Sequence, residues 1–374
     1  MSVSYIPANV RQILWGKAAG RCQYEGCNQA LFFDTLTKGE FNSSYIAHIY
    51  ADSKGGPRYD EALSFKLKCD LSNLMLLCDS HHRLIDKHEI DGHPAPRLQK
   101  MKADHEARIS MLTDITPDQQ SHIVLFGANI GQHQIPLNYR EAANAIIPRR
   151  YPSQLAALEL GLKNSVSEDD QQAYWLIQDE QIKSAFQKII APLKGSDKVQ
   201  HFSLFALAPI PLLMRIGTLF SDIYEVDVFQ RHREPSTWLW QDDSPVLDFF
   251  IRRPSSFDGV PVLKLSLSAN ITDNRVTEVI DEECNIWEVT INDPHNDFLK
   301  NALTLQAFRK IIRLAFNEIK IRHGQNIKLH VMPALPVSAA VEFGRVWMPK
   351  ADMPLLIYDQ SRVHNRFIST LNFN

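Results

Sequence analysis

Four of the five cysteines (Cys22, Cys27, Cys69 and Cys78) fall within the first eighty residues of this 374-residue chain, and six of its fourteen histidines precede residue 115. Metal-ligand side chains are therefore concentrated in one small segment. Cys22 and Cys27 close a short knuckle around Gly26, and Cys78 and His81 form a second close pair. Two such pairs are what a structural tetrahedral zinc needs, and a small unit with a modest core gains folding free energy from the clamp. The alternative is a set of buried core thiols. Cys69 has no partner at ligand spacing and reads as a bystander. Five cysteines in a chain of this length do not make a disulfide framework.

The division into units follows from that asymmetry. Residues 1–115 hold 14 basic and 14 acidic residues, so this segment is neutral and the rest carries the net charge of −3. The spacing predicts a helix over Arg97–Met111, and the polar stretch 112–120 with Pro117 reads as a linker. Domains are expected at 1–115 and 116–374. The balance excludes a bulk polycation, so contact with nucleic acid must come from local patches. The apolar run Phe202–Met214 is broken by Pro209 and Pro211 and is too short to cross a membrane. The N-terminus shows no export signal, so a cytoplasmic protein with no membrane association is expected.

Between the ligand pairs lies a second constellation. Ile46-Ala47-His48-Ile49 is strand-like, Asp52–Pro57 is a loop, Leu74–Leu77 is a second apolar strand, and His81-His82-Arg83-Leu84-Ile85-Asp86 opens a helix. Asn73 stands before the second strand. This arrangement resembles an HNH nuclease, the ββα-metal finger, over residues 15–95. The resemblance implies that His48 is the general base, that Asn73 orients its loop or approaches the metal, and that His82 holds a catalytic divalent ion (Mg2+ or another). Cys22, Cys27, Cys78 and His81 would hold structural Zn2+. An imidazole can take a proton from water near neutral pH, and a divalent ion stabilises the leaving oxygen of a phosphodiester. Many relatives place a further ligand directly before the base. Here that residue is Ala47, which leaves Asp86, water and phosphate as inner-shell candidates. His88 and His93 read as surface residues. Lys54, Arg58, Lys66, Lys68, Arg83, Lys87, Arg97, Lys100 and Lys102 are candidates for phosphate contacts with double-stranded DNA.

The larger unit alternates strand and helix patterns. Helices are expected at Leu155–Lys163, Gln171–Ile190 and Ala302–Arg322. Strands are expected at His201–Leu207, Tyr224–Phe229, Val246–Ile251, Val262–Leu267, Ile286–Ile291, Ile327–Val331 and Leu355–Tyr358. One pattern occurs twice: a strand, a turn (Pro209-Ile-Pro211, then Pro333-Ala-Leu-Pro336) and a helix carrying Gly217 or Gly344. Each copy reads as half of a Rossmann-like fold, and a helix N-terminus after such a turn offers N–H groups to an anion. The segments Phe205–Gly217, Arg231-His232-Arg233 with Trp238 and Trp240, Val262–Ser268 and His330–Gly344 resemble the SAVED domain, the cyclic-oligonucleotide sensor of bacterial CBASS antiphage systems. The fold class is then an α+β ββα-metal finger joined to a larger α/β SAVED domain of two fused Rossmann/CARF-like halves.

That resemblance implies a ligand that is a cyclic di- or trinucleotide of the cGAMP kind. Arg231, Arg233, Arg252, Arg253 and Arg345 are candidates for its phosphates, and Trp238 and Trp240 for its bases. It also implies an antiphage endonuclease activated by ligand-driven homo-oligomerisation, from dimer to tetramer or higher. Two rivals remain open at the sequence level: an HNH restriction enzyme directed to modified DNA, and a zinc-stabilised DNA-binding module without activity.

Overall fold

Four consecutive apolar residues, Leu74–Leu77, set the architecture of the first of the chain's two units, Met1–Thr116. The computed structural model describes residues 5–34, 36–129, 137–161, 171–196, 198–280 and 282–374. Within the first unit the elements run α1 (Ala8–Ala18), β1 (Tyr45–His48), a short α2 (Leu63–Leu67), β2 (Leu74–Leu77), α3 (Asp79–Arg83) and α4 (Ala95–Thr113). β2 is buried along its whole length and pairs antiparallel with β1, in a register that sets His48 against Leu74. Leu14 and Ala18 of α1, Leu98 and Met101 of α4, and Ile85 join it in one core that includes Cys22 and Cys78. Cys78 caps α3, and the coil continues as a wider π turn over Leu84–His88. The expected linker begins later than its composition suggested, because α4 runs to Thr113.

The second unit, Pro117–Asn374, begins with β3 (Gln120–Gly127), α5 (Tyr139–Ile146), β4 (Tyr151–Pro152), β5 (Leu158–Glu159) and α6 (Gln172–Ile189). It continues with β6 (His201–Leu207), α7 (Ile210–Phe220), β7 (Glu225–Phe229), β8 (Phe250–Arg252), β9 (Val260–Ser266) and α8 (Asn274–Thr277). β10 (Cys284–Thr290), α9 (Ala302–His323), β11 (Leu329–Ala334), α10 (Val337–Val346), β12 (Leu355–Ser361) and β13 (Arg366–Phe373) complete it. The first sheet has the order β4-β3-β6-β7, with β5 also on β3, and all its pairings are parallel. The second has the order β13-β12-β11-β9-β10-β8, a parallel centre with an antiparallel strand at each edge. Parallel strands covered by helices explain why the largely apolar runs at His201–Leu207 and Val262–Leu267 are buried nearly throughout.

The repeated pattern becomes a crossing of α7 and α10. A Cβ added to Gly217 would overlap the carbonyl oxygen of Val341, and one added to Gly344 would overlap that of Met214. The two glycines thus play reciprocal parts, and only a residue without a side chain lets the backbones approach so closely. The helix expected at Leu155–Lys163 is absent over its described residues: the chain bends and then pairs Leu158–Glu159 with β3. Residues 162 and 163 of that helix lie outside the described residues. The strand expected from Val246 starts only at Phe250. Pro333 sits inside β11 rather than in the turn; it is tolerated because β12 pairs with β11 only through Val331.

Candidate functional site: a histidine-lined cavity, a thiol cluster and a two-helix cleft

Successive residues on a helix are turned by roughly 100°, so His81 and His82 face different surroundings. The ligand atoms of His81, Cys22, Cys27 and Cys78 all lie within 4.8 Å of one another. Nδ1 of His81 stands 3.1 Å from Sγ of Cys78 and 3.6 Å from Sγ of Cys22. Its ring stacks on Tyr24 at 4.1 Å between centroids. Tyr24 Oη lies 2.9 Å from Nε2 of His93, whose Nδ1 donates to the carbonyl of Glu89. His93 is fully buried and supports the cluster, contrary to its expected place on the surface, whereas His88 is exposed. Burial pushes the Cys22 thiol up to about 12, and burial followed by the neighbouring His93 lowers His81. Burying a thiolate is costly unless a cation compensates its charge. A tetrahedral zinc ion fits this donor set.

His82 turns to a separate cavity of about 790 Å³, whose wall also includes Tyr45, Ala47, His48, Asp52 and Asp86. His48 is buried, and its Nε2 lies 2.8 Å from the carbonyl of Lys68. A carbonyl only accepts, so Nε2 carries the proton, and Nδ1 of the neutral ring has its lone pair available. His82 Nε2 lies 3.3 Å from Asp86, one helical turn on, while its ring stacks on Tyr45 with centroids 4.8 Å apart. Asp86 also pairs with Arg58 at 2.6 Å. Burial pushes the Asp86 carboxyl up, but hydrogen bonds from His82 and Arg58 outweigh it and hold the group below the ordinary carboxylate range.

Asn73 does not enter that cavity wall. Its Oδ1 accepts from the amide of Tyr50, and its Nδ2 donates to the carbonyls of Tyr50 and Leu67. The amide is thus spent on the loop that leaves β1, and of the two roles considered for Asn73 only the orienting one fits. Among the expected phosphate contacts, Arg58 is buried and engaged by Asp86, and Lys102 is buried and paired with Glu106. Arg97 and Lys100 pair with Glu25 and Asp104. Arg83 and Lys87 line the cavity and keep their exposure to solvent.

In the second unit a cleft of about 620 Å³ opens beyond the C-terminal ends of β6 and β11, where α7 and α10 begin. Crevices at the carboxyl ends of parallel strands are where open α/β sheets hold ligands. Leu207–Ile210 and Pro333–Val337 both line it, so the two repeated turns share one cleft. Gln230, just past β7, accepts from the amide and hydroxyl of Ser338 and ties one half to the start of α10. Arg231 and Arg233 line the cleft. Arg231 also bonds Glu141 and Ser236 and lies over the ring of Trp238.

The remaining expected ligand residues lie elsewhere. Trp238 is buried against Phe205, and Trp240 lines a different, smaller cavity and contacts His232. Arg345 is buried and donates to the carbonyls of Ser221, Val226 and Tyr224 as well as to Glu342. Its guanidinium joins α10 to the first half and is withdrawn from the ligand set, as is Trp238. Arg252 pairs with Glu288, and Arg253 forms a two-pronged pair with Glu318, both away from the cleft. Reasoning from sequence missed Arg275 and Arg362, which do line it; Arg275 bonds Gln360 and lies over Phe367. Nothing in the local sequence marked either position, since Arg275 arrives from the short helix α8 and Arg362 from the turn between β12 and β13.

Residues 182–373 match the family model described as SAVED, the SMODS-associated and fused to various effectors sensor domain. The chain belongs to the SAVED family. Solved structures similar to it include the Acinetobacter baumannii Cap4 SAVED/CARF-domain containing receptor with the cyclic trinucleotide 2'3'3'-cAAA, at 10% identity and a TM-score of 0.46. The same receptor with 3'3'3'-cAAA matches at 9% and 0.45, and the Moraxella osloensis Cap4 receptor at 11% and 0.39. Each alignment covers 75% of this SAVED chain and 60% of the other, so the chain spans about three fifths of those receptors. No curated protein matches the sequence. Among the described residues no helix is long and apolar enough to cross a membrane.

Proposed function

We propose that this SAVED protein is an antiphage effector of the CBASS kind: an HNH endonuclease that cuts double-stranded DNA when a cyclic oligonucleotide occupies the cleft of its sensor unit. The observation that carries the nuclease half is the meeting of His48, from a strand, and His82, from the following helix, on one cavity beside a Cys3His cluster.

His48 takes the proton of the attacking water at Nδ1, since its Nε2 is held by the Lys68 carbonyl. Asn73 fixes the loop behind it. His82, with Nε2 toward Asp86, is the residue that would hold a divalent ion (Mg2+ or a relative). Such an ion would supply charge neutralisation at the phosphate and at the departing 3′ oxygen. Cys22, Cys27, Cys78 and His81 would hold structural zinc, whose binding free energy doubles as folding free energy for a small unit.

Membership of a sensor family supports the second half, together with the cleft itself. Arg231, Arg233, Arg275 and Arg362 can meet phosphates, and the starts of α7 and α10 add backbone donors. The two Acinetobacter baumannii Cap4 receptor structures named above carry cyclic trinucleotides, and a cyclic di- or trinucleotide is the proposed class here. Homo-oligomerisation would convert binding into cleavage. Moving an assembly equilibrium from about 1:99 to 99:1 requires roughly a 10⁴-fold preference of the ligand for the assembled state. The test is a plasmid-cleavage assay with Mg2+ or Mn2+ and a panel of cyclic di- and trinucleotides. Cleavage triggered by one member, and lost in His48→Ala, is expected. Cleavage indifferent to the whole panel would refute the proposal.

A further inference from the structure

We infer that Arg58 is a positioning residue for the cavity of the first unit: it fixes the separation of His48 and His82 and, through Asp86, the ring orientation of His82. The inference rests on the nuclease reading above and extends it to a residue that contacts neither substrate nor ion.

Arg58 follows Gly55-Gly56-Pro57 and has φ 55, in the left-handed region that a residue with a side chain rarely occupies. Its guanidinium holds it there. The side chain is 7% exposed, a depth at which an arginine is kept only by partners. Nε donates to the carbonyl of Ile49 at 2.8 Å, and Nη2 reaches that of His48 at 3.5 Å. Nη1 donates to the carbonyl of Ile85 at 2.7 Å, and Nη2 to Asp86 Oδ1 at 2.6 Å. Two acceptors therefore belong to the end of β1 and two to the turn that follows α3. One planar fork spans both elements, and its five fixed donors can do this where a single ammonium cannot. The far oxygen of the same carboxylate reaches His82 Nε2 at 3.3 Å. Partners behind a metal-binding histidine set its tautomer and direction, and losing one typically costs 10–100-fold in metal affinity.

The experiment uses the full zinc-loaded chain, with Mn2+ as the probe in calorimetry and cleavage kinetics on duplex DNA with the activating cyclic nucleotide. Arg58→Lys keeps the charge but not the fork, and Asp86→Asn keeps an acceptor for Arg58 but loses the one facing His82. Both are expected to retain their zinc, to bind Mn2+ about 10–100-fold more weakly, and to lose kcat at unchanged KM for DNA, with Arg58→Lys also melting lower because the Ile49 and Ile85 carbonyls lose their donors. The double variant should be no worse than the worse single one, because the two residues act as one unit. Wild-type Mn2+ affinity and kcat in a folded single variant, or losses that simply add, would overturn the inference. Should Arg58→Lys fail to fold, Arg58→Gln, which keeps an amide donor but not the fork, takes its place. Mn2+ binding by the wild type that is indifferent to His82→Ala would instead overturn the nuclease reading, and the role of Arg58 with it.

Discussion

His81 and His82 are adjacent in sequence and serve different surroundings, one facing thiols and the other a cavity shared with His48. Their division was legible from the sequence, since His81 completes a pair with Cys78 and a helix turns its neighbour elsewhere. The part played by Asn73 was legible only as a choice between two, because nothing in a sequence says where an amide spends its hydrogen bonds. His93, expected on the surface, and Arg345, expected at the ligand's phosphates, are both buried, because part of what each bonds (Tyr24 for His93, the carbonyls of Ser221, Tyr224 and Val226 for Arg345) lies far away in sequence. His48→Ala should reduce DNA cleavage by about 10²–10⁴-fold while the Cys3His cluster keeps its metal, as single-turnover kinetics and metal analysis would show. Asn73→Ala leaves both backbone groups of Tyr50 without their partner and should lower stability by about 1–3 kcal/mol in chemical denaturation. His232 gives a prediction about pH. Burial first, then nearby Lys300, lowers it to about 4, and its ring is 1% exposed. A histidine buried neutral stabilises the fold fully above its unfolded value near 6.5, and that contribution is lost as pH falls from there through about 4. Replacing it by Phe should flatten the fall in melting temperature over that window, and an unchanged slope would count against the assignment.

Strands and helices were legible where burial is continuous. His201–Leu207 and Leu74–Leu77 stand where their apolar runs placed them, because parallel or fully covered strands need no polar face. The helix expected at Leu155–Lys163 failed because Leu158 and Glu159 form a short strand on β3, a long-range pairing that helical periodicity cannot reveal. The repeated turn-and-helix pattern was visible, but not the backbone contact at Gly217 and Gly344, which depends on two segments 127 positions apart meeting in space. Gly217→Ala forces α7 and α10 apart and should destabilise the sensor unit by about 1–3 kcal/mol, the usual cost of overpacking, measured by thermal melting. A neutral outcome would mean that the crossing yields more readily than the overlap with Val341 implies.

For the molecule as a whole, the two units have different sources of stability. The sensor unit owns a large continuous core, whereas the core of the first unit, among the described residues, is a cluster of fifteen buried apolar positions that includes two of the clustered thiols. On the proposed zinc site and ligand, chelation under reducing conditions should make residues before Thr116 sensitive to protease while binding of the cyclic nucleotide by the sensor unit persists. Membership of the SAVED family was legible in the motifs around Phe205–Gly217 and His330–Gly344 and is met by the family match over 182–373. The identity of the ligand was not legible, because the cleft is assembled from Arg231 and Arg233 after β7, Arg275 in α8 and Arg362 between β12 and β13, segments far apart in sequence. The central claim is that occupancy of this cleft switches on cutting at His48. It is tested most directly by titrating the activating cyclic nucleotide while its binding and the cleavage of a duplex are followed together, in the wild type and in Arg233→Glu. The account predicts negligible cutting without ligand, coincident midpoints for binding and cleavage, and a parallel shift of both in the variant. Cutting at full rate without ligand, or a cleavage curve unmoved when binding is weakened, would contradict it.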